Sequence, residues 1–232
     1  MTQFYLSKLI LNPLSAQVRS EMRNPYQLHR TLTTRVFDSS RNNAKALHRV
    51  DSDYRTGKII LLLQSQTAPN LVTLEQADNG RYLNVLPQSK QINITPQRDQ
   101  IYRFRLVANP SVKRDGKRHS YDKRDKPNGK TKDERYFHWI KTKGEGCTEI
   151  GRPSNGFKVL QVDFRDRGAK TDKIFAQAKA DRPERNHKLK FQAVQYDGIL
   201  QVTDPTLFSQ ALINGIGPSK AFGCGLLSLA PV

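Results

Sequence analysis

The hydrophobic and polar positions of this chain follow two rhythms, one of period two and one of helical period, and their order predicts the elements. Phe4 to Leu11 is rich in aromatic and branched residues and ends at Asn12-Pro13, which reads as a first strand. Ser15 to Arg23 is polar and reads as a loop. Asn24-Pro25 then supplies an N-cap and a first helical position for a helix carrying Tyr26, Leu28, His29, Leu32 and Val36. Ala46–Tyr54 and Lys58–Gln66 read as strands joined at Arg55-Thr-Gly57, and the apolar run Ile59–Leu63 suits a strand covered on both faces. A weakly marked helical or irregular segment follows, and Tyr82–Leu86 with Gln91–Thr95 supplies a closing strand.

Pro96-Gln-Arg-Asp reads as a boundary. Beyond it Ile101–Ala108 alternates, with Tyr102, Phe104 and Leu106 on one face and Arg103 and Arg105 on the other. Asp133–Lys143 reads as a helix anchored by Phe137, Trp139 and Ile140. Gly156–Phe164 and Lys188–Thr203 read as strands, with Asp197-Gly198 either a hairpin turn or a bulge. Asp204-Pro205 opens a last helix that ends at Gly215, and Gly225–Ala230 is the last strand. Each half therefore reads β-α-β-β-α-β, although the second helix of the first half is poorly marked. The expected fold is α+β: two tandem ferredoxin-like (RRM-like) domains with antiparallel sheets, spanning residues 1–96 and 97–232.

Charge changes the picture more than length does. The 232 residues hold 39 Lys and Arg against 21 Asp and Glu, a net charge of +18. Such an excess calls for a polyanionic partner, nucleic acid first and an anionic membrane surface second. The excess is uneven: Ser111–Lys132 has nine Lys or Arg against three Asp and almost no apolar residue, which reads as an exposed loop. Arg165–Arg185 is a second basic excursion, interrupted by Pro183. No run of eighteen apolar residues occurs, and the start Met1-Thr-Gln-Phe-Tyr-Leu-Ser-Lys lacks the signal-peptide pattern. Two distant cysteines, Cys147 and Cys224, make neither a disulfide framework nor a thiolate zinc site. A cytoplasmic location is the simplest expectation.

Tyr26 and His29, three apart on one helix face, bring a phenol and an imidazole together. That pair suits RNA self-cleavage chemistry, in which a 2′-hydroxyl attacks the neighbouring phosphorus while proton transfers assist. The same spacing also fits an ordinary boundary pair on an amphipathic helix. His48, His119, His138 and His187 lie apart from each other and from carboxylates at ligand spacing, so no metal and no other cofactor is expected. Tyr102 and Phe104 suit either base stacking or a sheet core. Gly215, Gly217, Gly223 and Gly225 bracket Lys220 within eleven positions, which suits an anion cradle or a close packing of segments. The spacing is not that of a Walker motif.

The run Gly215-Ile-Gly-Pro-Ser-Lys-Ala-Phe-Gly-Cys-Gly-Leu-Leu-Ser-Leu-Ala-Pro231 closely resembles the glycine-rich signature of the CasE family, CRISPR-associated endoribonucleases that process precursor crRNA in type I-E Cascade. Tyr5-Leu-Ser-Lys8, Tyr26-Gln-Leu-His29, Leu62-Leu-Gln-Ser65, Tyr102–Pro110 and Tyr196-Asp-Gly-Ile-Leu200 resemble further landmarks of that family, in order. The resemblance implies metal-independent cleavage at the base of a repeat stem-loop, leaving a 2′,3′-cyclic phosphate. It also implies that product crRNA is retained and that the protein joins other Cascade subunits. Tyr26 and His29 match the catalytic pair, with His29 as general acid. Expected RNA contacts are Arg23, Arg30, Arg103, Arg105, Lys113, Arg114, Lys117, Arg118, Arg165, Arg167, Lys170 and Lys220, with the four glycines. Lys113 and Lys220 are the candidates to support the scissile phosphate. The alternative is a non-catalytic tandem-RRM RNA-binding protein, with a generic ribosome-associated basic protein behind it.

Overall fold

Two antiparallel four-stranded sheets of matching topology carry the chain. The computed structural model describes residues 1–37, 45–53, 55–114, 116–121, 131–148, 151–175 and 186–232. The first sheet has the order β2-β3-β1-β4, from β1 (Thr2–Leu11), β2 (Leu47–Asp53), β3 (Lys58–Ser65) and β4 (Gln88–Ile94). The second has the order β10-β5-β9-β8, from β5 (Ile101–Ala108), β8 (Phe157–Phe175), β9 (Asn186–Val202) and β10 (Leu227–Pro231). Each half places its first strand between its third and fourth, the ferredoxin-like arrangement expected from the pattern. A small hairpin of β6 (Ser111–Arg114) and β7 (Lys117–Ser120) precedes the helix α5 (Lys132–Glu145). Among the described residues no helix is long and apolar enough to cross a membrane.

Alternation builds both cores. Leu9 and Leu11 of β1 and Leu61 and Leu63 of β3 are fully buried against helices α1 (Ala16–Arg23) and α2 (Pro25–Thr31). Tyr102, Phe104 and Leu106 of β5 face Trp139, Phe157, Tyr196 and Phe208. Tyr102 and Phe104 are thus core residues and unavailable for base stacking. A third, smaller cluster forms on the opposite face of the second sheet from Val107, Ala193, Phe222 and Cys224, and Tyr26 packs against it. Helix α2 is therefore anchored twice, through Leu28 into the first core and through Tyr26 onto the second sheet.

Several expectations are corrected. Ser15–Arg23 is a helix rather than a loop: the Ser15 hydroxyl caps Val18 N–H at 3.2 Å. Its buried polar residue, Glu21, accepts from the Tyr82 hydroxyl at 2.5 Å and from Thr31 at 2.6 Å, so a polar-looking segment has an inward face. Tyr82–Leu86 is no strand; Tyr82 is fully buried beside Glu21, and the closing strand begins at Gln88. Tyr136 replaces Phe137 among the buried anchors of α5, with Phe137 38% exposed. Ile60 and Leu62 of β3 are half-buried, so that strand is fully covered on one face. Part of the first basic stretch is the β6–β7 hairpin, while residues 122–130 fall outside the described residues.

The second basic excursion is a strand extension. β8 continues to Phe175 and pairs with β9 back to Asn186, while residues 176–185 fall outside the described residues. Asp197-Gly198 is neither turn nor bulge. The bulge lies opposite, in β8, where the register skips Leu160 between Val159 and Gln161. Gly198 faces it, and a Cβ there would lie 2.1 Å from the Gln161 carbonyl oxygen.

Candidate active site and nucleic-acid interface

The Asn-Pro-Tyr-Gln-Leu-His sequence fixes the local geometry. Asn24 Oδ1 accepts from the N–H groups of Tyr26 at 3.1 Å and Gln27 at 3.3 Å, and Pro25 fills the first helical position. With Leu28 buried, Tyr26 and His29 project from one half-buried face, their ring centroids 6.3 Å apart. Beyond α2 the helix widens into a π turn over Leu32–Val36, and the Thr33 hydroxyl donates to the His29 carbonyl at 2.9 Å.

Both rings have aromatic backing. Tyr26 packs on Phe222 at 6.2 Å, tilted by 36°. His29 stacks on His48 of β2 at 6.0 Å with 19° between the planes. Sequence reasoning weighed His48 only as a metal ligand and set it aside; β2 points it inward, 2% exposed, beneath His29. β2 is largely polar, Leu47-His-Arg-Val-Asp-Ser-Asp53, so the sequence carried no signal for an inward-facing His48.

A cleft of about 690 Å³ opens beside this pair, lined among others by Tyr26, His29, Thr33, Leu47, Asn214 and Lys220. Lys220 and Asn214 come from the second half of the chain, so the two halves share the cleft. Lys220 sits on a short 3₁₀ turn, Lys220–Phe222, entered through Ser219 in the left-handed region at φ 64°. Burial lowers the pKa of its ammonium group, which is half-exposed at the cleft wall. Lys113 does not line the cleft; it is exposed on β6.

The glycine-rich loop is packed inward. Gly215 N–H donates to Ala211 O at 2.8 Å, Gly225 N–H to Val107 O at 2.8 Å, and Gly223 N–H to Lys220 O at 3.2 Å. Those three N–H groups are spent within the protein, which corrects the expectation of an anion cradle at them. Packing explains the glycines instead. A Cβ on Gly215 would meet Leu47 at 2.9 Å, and one on Gly217 would meet Trp139 at 3.1 Å, both at positive φ. The loop is a wedge between the start of β2 and α5, and it delivers Lys220 to the cleft.

The basic residues divide into two groups. Arg23, Arg30, Lys113, Lys117, Arg118 and Arg165 are exposed. Arg103 is exposed too, its Nε donating to Pro231 O at 2.9 Å. Arg105 and Arg167 are committed to the protein. Arg105 forms a two-point pair with Asp197, at 2.6 and 3.2 Å, on the neighbouring strand. Arg167 donates to Val50 O at 2.8 Å and to Asp51 at 2.7 Å, both on β2, and to Gln195 at 2.9 Å. Buried Arg49 completes the network through Asp51 at 2.9 Å and Ser228 at 2.9 Å. Arg49 and Arg167 tie the first sheet to the second. Arg114 and Lys170 lie in β6 and β8, with side chains outside the described set. Among the described residues no group of three His, Cys, Asp or Glu side chains is placed to hold a metal ion.

Comparisons with known proteins identify the family. The family described as CRISPR associated protein matches residues 4–231. The chain is 31% identical to the CRISPR-associated endoribonuclease Cse3 of Thermus thermophilus over 98% of its own length and 100% of that protein's. A 43-residue stretch, 18% of the chain and 22% of the relative, is 46% identical to the Cascade subunit CasE of Escherichia coli. A solved structure of CRISPR endoribonuclease Cse3 bound to 19 nt RNA superposes with a TM-score of 0.74 at 29% identity, over 99% of this chain and 100% of that one. A Thermus thermophilus Cse3 structure with an RNA representing a pre-cleavage complex gives 0.73 at the same identity and coverage. With its whole fold and nearly its whole length matched, the chain belongs to the CRISPR-associated protein family.

Proposed function

We propose that this protein is an endoribonuclease that binds the repeat hairpin of precursor crRNA and cuts it at the Tyr26/His29 cleft. The observation that carries the reading is the convergence of a phenol, an imidazole and a half-buried ammonium group on one cleft wall. In this scheme the RNA 2′-hydroxyl oxygen attacks the adjacent phosphorus while its proton passes to a general base, and the bond from phosphorus to the 5′-oxygen breaks. His29 protonates the departing 5′-oxygen, Tyr26 positions or shares the proton transfer, and Lys220 stabilises the negative charge that develops. The product is a 2′,3′-cyclic phosphate and a 5′-hydroxyl, and no step calls on a metal ion.

The division of labour follows the two halves. Residues 1–96 carry the catalytic helix, and residues 97–232 carry the basic hairpins and the glycine loop that closes the cleft. The exposed arginines and lysines of α1, α2, β6–β7 and β8 supply the phosphate contacts that position the stem. Membership of the family and full-length similarity to an endoribonuclease support the activity, and similarity to a Cascade subunit supports retention of crRNA within that assembly. The competing reading, a purely binding tandem-RRM protein, loses its stacking platform because Tyr102 and Phe104 are buried.

The test is incubation of the organism's own repeat RNA with wild-type protein and with His29→Ala in excess EDTA, followed by end-group analysis. Wild type yields a cyclic phosphate end. His29→Ala binds the RNA but cuts about 10²–10⁴-fold more slowly. Full cleavage by the variant, or strict dependence on a divalent metal, overturns the scheme.

A further inference from the structure

The end of α5 and the residues after it add two cations that sequence reasoning overlooked, Lys143 and Arg152, to the neighbourhood of Arg118. Trp139 and Tyr121 form its floor. The Trp139 indole N–H donates to Ser111 O at 3.2 Å, and the Tyr121 hydroxyl shares a 2.6 Å hydrogen bond with His138. These bonds fix the β6–β7 hairpin against α5. The Lys143 ammonium lies over the Trp139 ring at 5.8 Å, and the Arg152 guanidinium lies over the Tyr121 ring at 5.7 Å. Arg118 reaches in from β7, its guanidinium 3.4 Å from the Ser111 hydroxyl. Gly217 of the glycine loop sits against the far edge of the same Trp139 ring, three residues before Lys220.

Lys143, Arg152 and Arg118, from three segments, are thus gathered at this floor, and Lys220 follows three residues after Gly217. The repulsion registers at Lys143: burial lowers its pKa, and the charges of Arg152, Arg118 and Lys220 lower it further. Like charges gathered at one floor cost stability, and an anion bound among them removes that cost. Lys220 lines the Tyr26/His29 cleft, and its charge reaches Lys143.

We infer that Lys143, Arg118 and Lys220 on the Trp139 floor form a phosphodiester site, continuous with the cleft through Lys220. It holds the RNA backbone a few phosphates from the scissile bond. Aromatic floors suit the task, because they hold the lysine and arginine stems in place while leaving the charged ends toward the anion. This inference rests on the RNA-cleavage reading above and adds where the strand runs once it leaves the cleft.

Binding is measured with a repeat RNA whose attacking 2′-hydroxyl is replaced by hydrogen, so that cleavage plays no part. Wild type, Lys143→Gln, Arg118→Gln and the exposed-surface control Lys58→Gln are titrated over a range of KCl concentrations. Lys143→Gln and Arg118→Gln are each expected to weaken binding about tenfold. Each also lowers the slope of log affinity against log salt by about one, and Lys58→Gln changes neither. A scan of single methylphosphonate substitutions then finds one backbone position that weakens wild type but not Lys143→Gln.

An unchanged salt slope, or methylphosphonates that weaken wild type and Lys143→Gln alike at every position, overturns the site. So does normal RNA binding with failure to join partner subunits, which would assign the cluster to an acidic protein surface. Lys143→Arg retains binding if charge is what matters; loss in that variant as well as in Lys143→Gln marks a structural role and overturns the inference. Should wild type bind the hairpin but fail to cut unmodified RNA, the cleavage reading falls while the binding result stands.

Discussion

The guanidinium of Arg167, on β8, donates to the carboxylate of Asp51, on β2, at 2.7 Å, and this pair joins the two sheets. Arg49 holds the same carboxylate from the other side at 2.9 Å. Burial pushes the Asp51 carboxyl up, but the two guanidinium groups outweigh it and hold the pKa below the ordinary aspartate value. Asp51→Asn leaves Arg49 buried without its ion-pair partner. The expected loss is about 3 kcal/mol, the lower end for removing one member of a buried pair. A depressed carboxylate stabilises above the unfolded pKa, about 3.9, and loses that contribution as pH falls through the folded value. Denaturant titrations are therefore expected to show less acid sensitivity below about pH 4 in the variant than in wild type.

Tyr26 and His29 separate by what their removal costs. Tyr26→Phe keeps the ring on Phe222, which lies 6.2 Å away, and deletes only the hydroxyl. Single-turnover cleavage is expected to slow by about tenfold to a hundredfold, less than in His29→Ala, with RNA affinity unchanged. A Tyr26→Phe rate as low as that of His29→Ala would give the phenol the central proton transfer.

Lys220 gives a pH signature. Because burial lowers its pKa, the ammonium charge is lost at a lower pH than that of a free lysine. Wild-type cleavage should decline more steeply on the alkaline side accordingly, and Lys220→Arg should lose less of its rate there, since guanidinium stays charged while loss of the His29 general acid is common to both proteins. Lys220→Gln should be slow at every pH. Rate profiles for the three proteins between neutral and alkaline pH test this; identical alkaline limbs in wild type and Lys220→Arg would remove the lysine from the chemistry.

Gly198 is a packing requirement. An alanine Cβ would lie 2.1 Å from the Gln161 carbonyl oxygen, a backbone atom pinned by the β8 bulge. Gly198→Ala is expected to destabilise the fold by roughly 3 kcal/mol, the upper range for overpacking. Thermal unfolding measures it, and a melting temperature equal to wild type would show that the bulge gives way freely.

The sequence disclosed what obeys local rules and concealed what depends on partners far along the chain. Both N-cap and proline pairs, Asn24-Pro25 and Asp204-Pro205, start helices as read, because caps act within three residues. The alternation of Ile101–Ala108 put Tyr102, Phe104 and Leu106 on one face, and that face is the buried one. The Ser15–Arg23 helix was missed because its inward face carries Glu21, and a buried carboxylate is tolerable only with donors such as Tyr82, 61 residues away. Arg105 and Arg167 looked like phosphate ligands for the same reason: composition counts charge, and it cannot tell which carboxylate will sit opposite. Tyr26 and His29 stood out as a helix-spaced pair, whereas His48, Lys143 and Arg152 join their neighbours only through tertiary packing.

The glycine wedge has a consequence for the order of events during synthesis. His29 emerges early, but Lys220, which lines its cleft, and Phe222, which backs Tyr26, follow nearly two hundred residues later. Contacts of such sequence separation form late in folding. A growing chain that has made α2 but not yet the glycine loop presents its imidazole on an open surface, with no lysine opposite. On the cleavage scheme proposed above, a nascent chain at that stage lacks the lysine of its site and gains it only when the glycine loop folds onto the cleft.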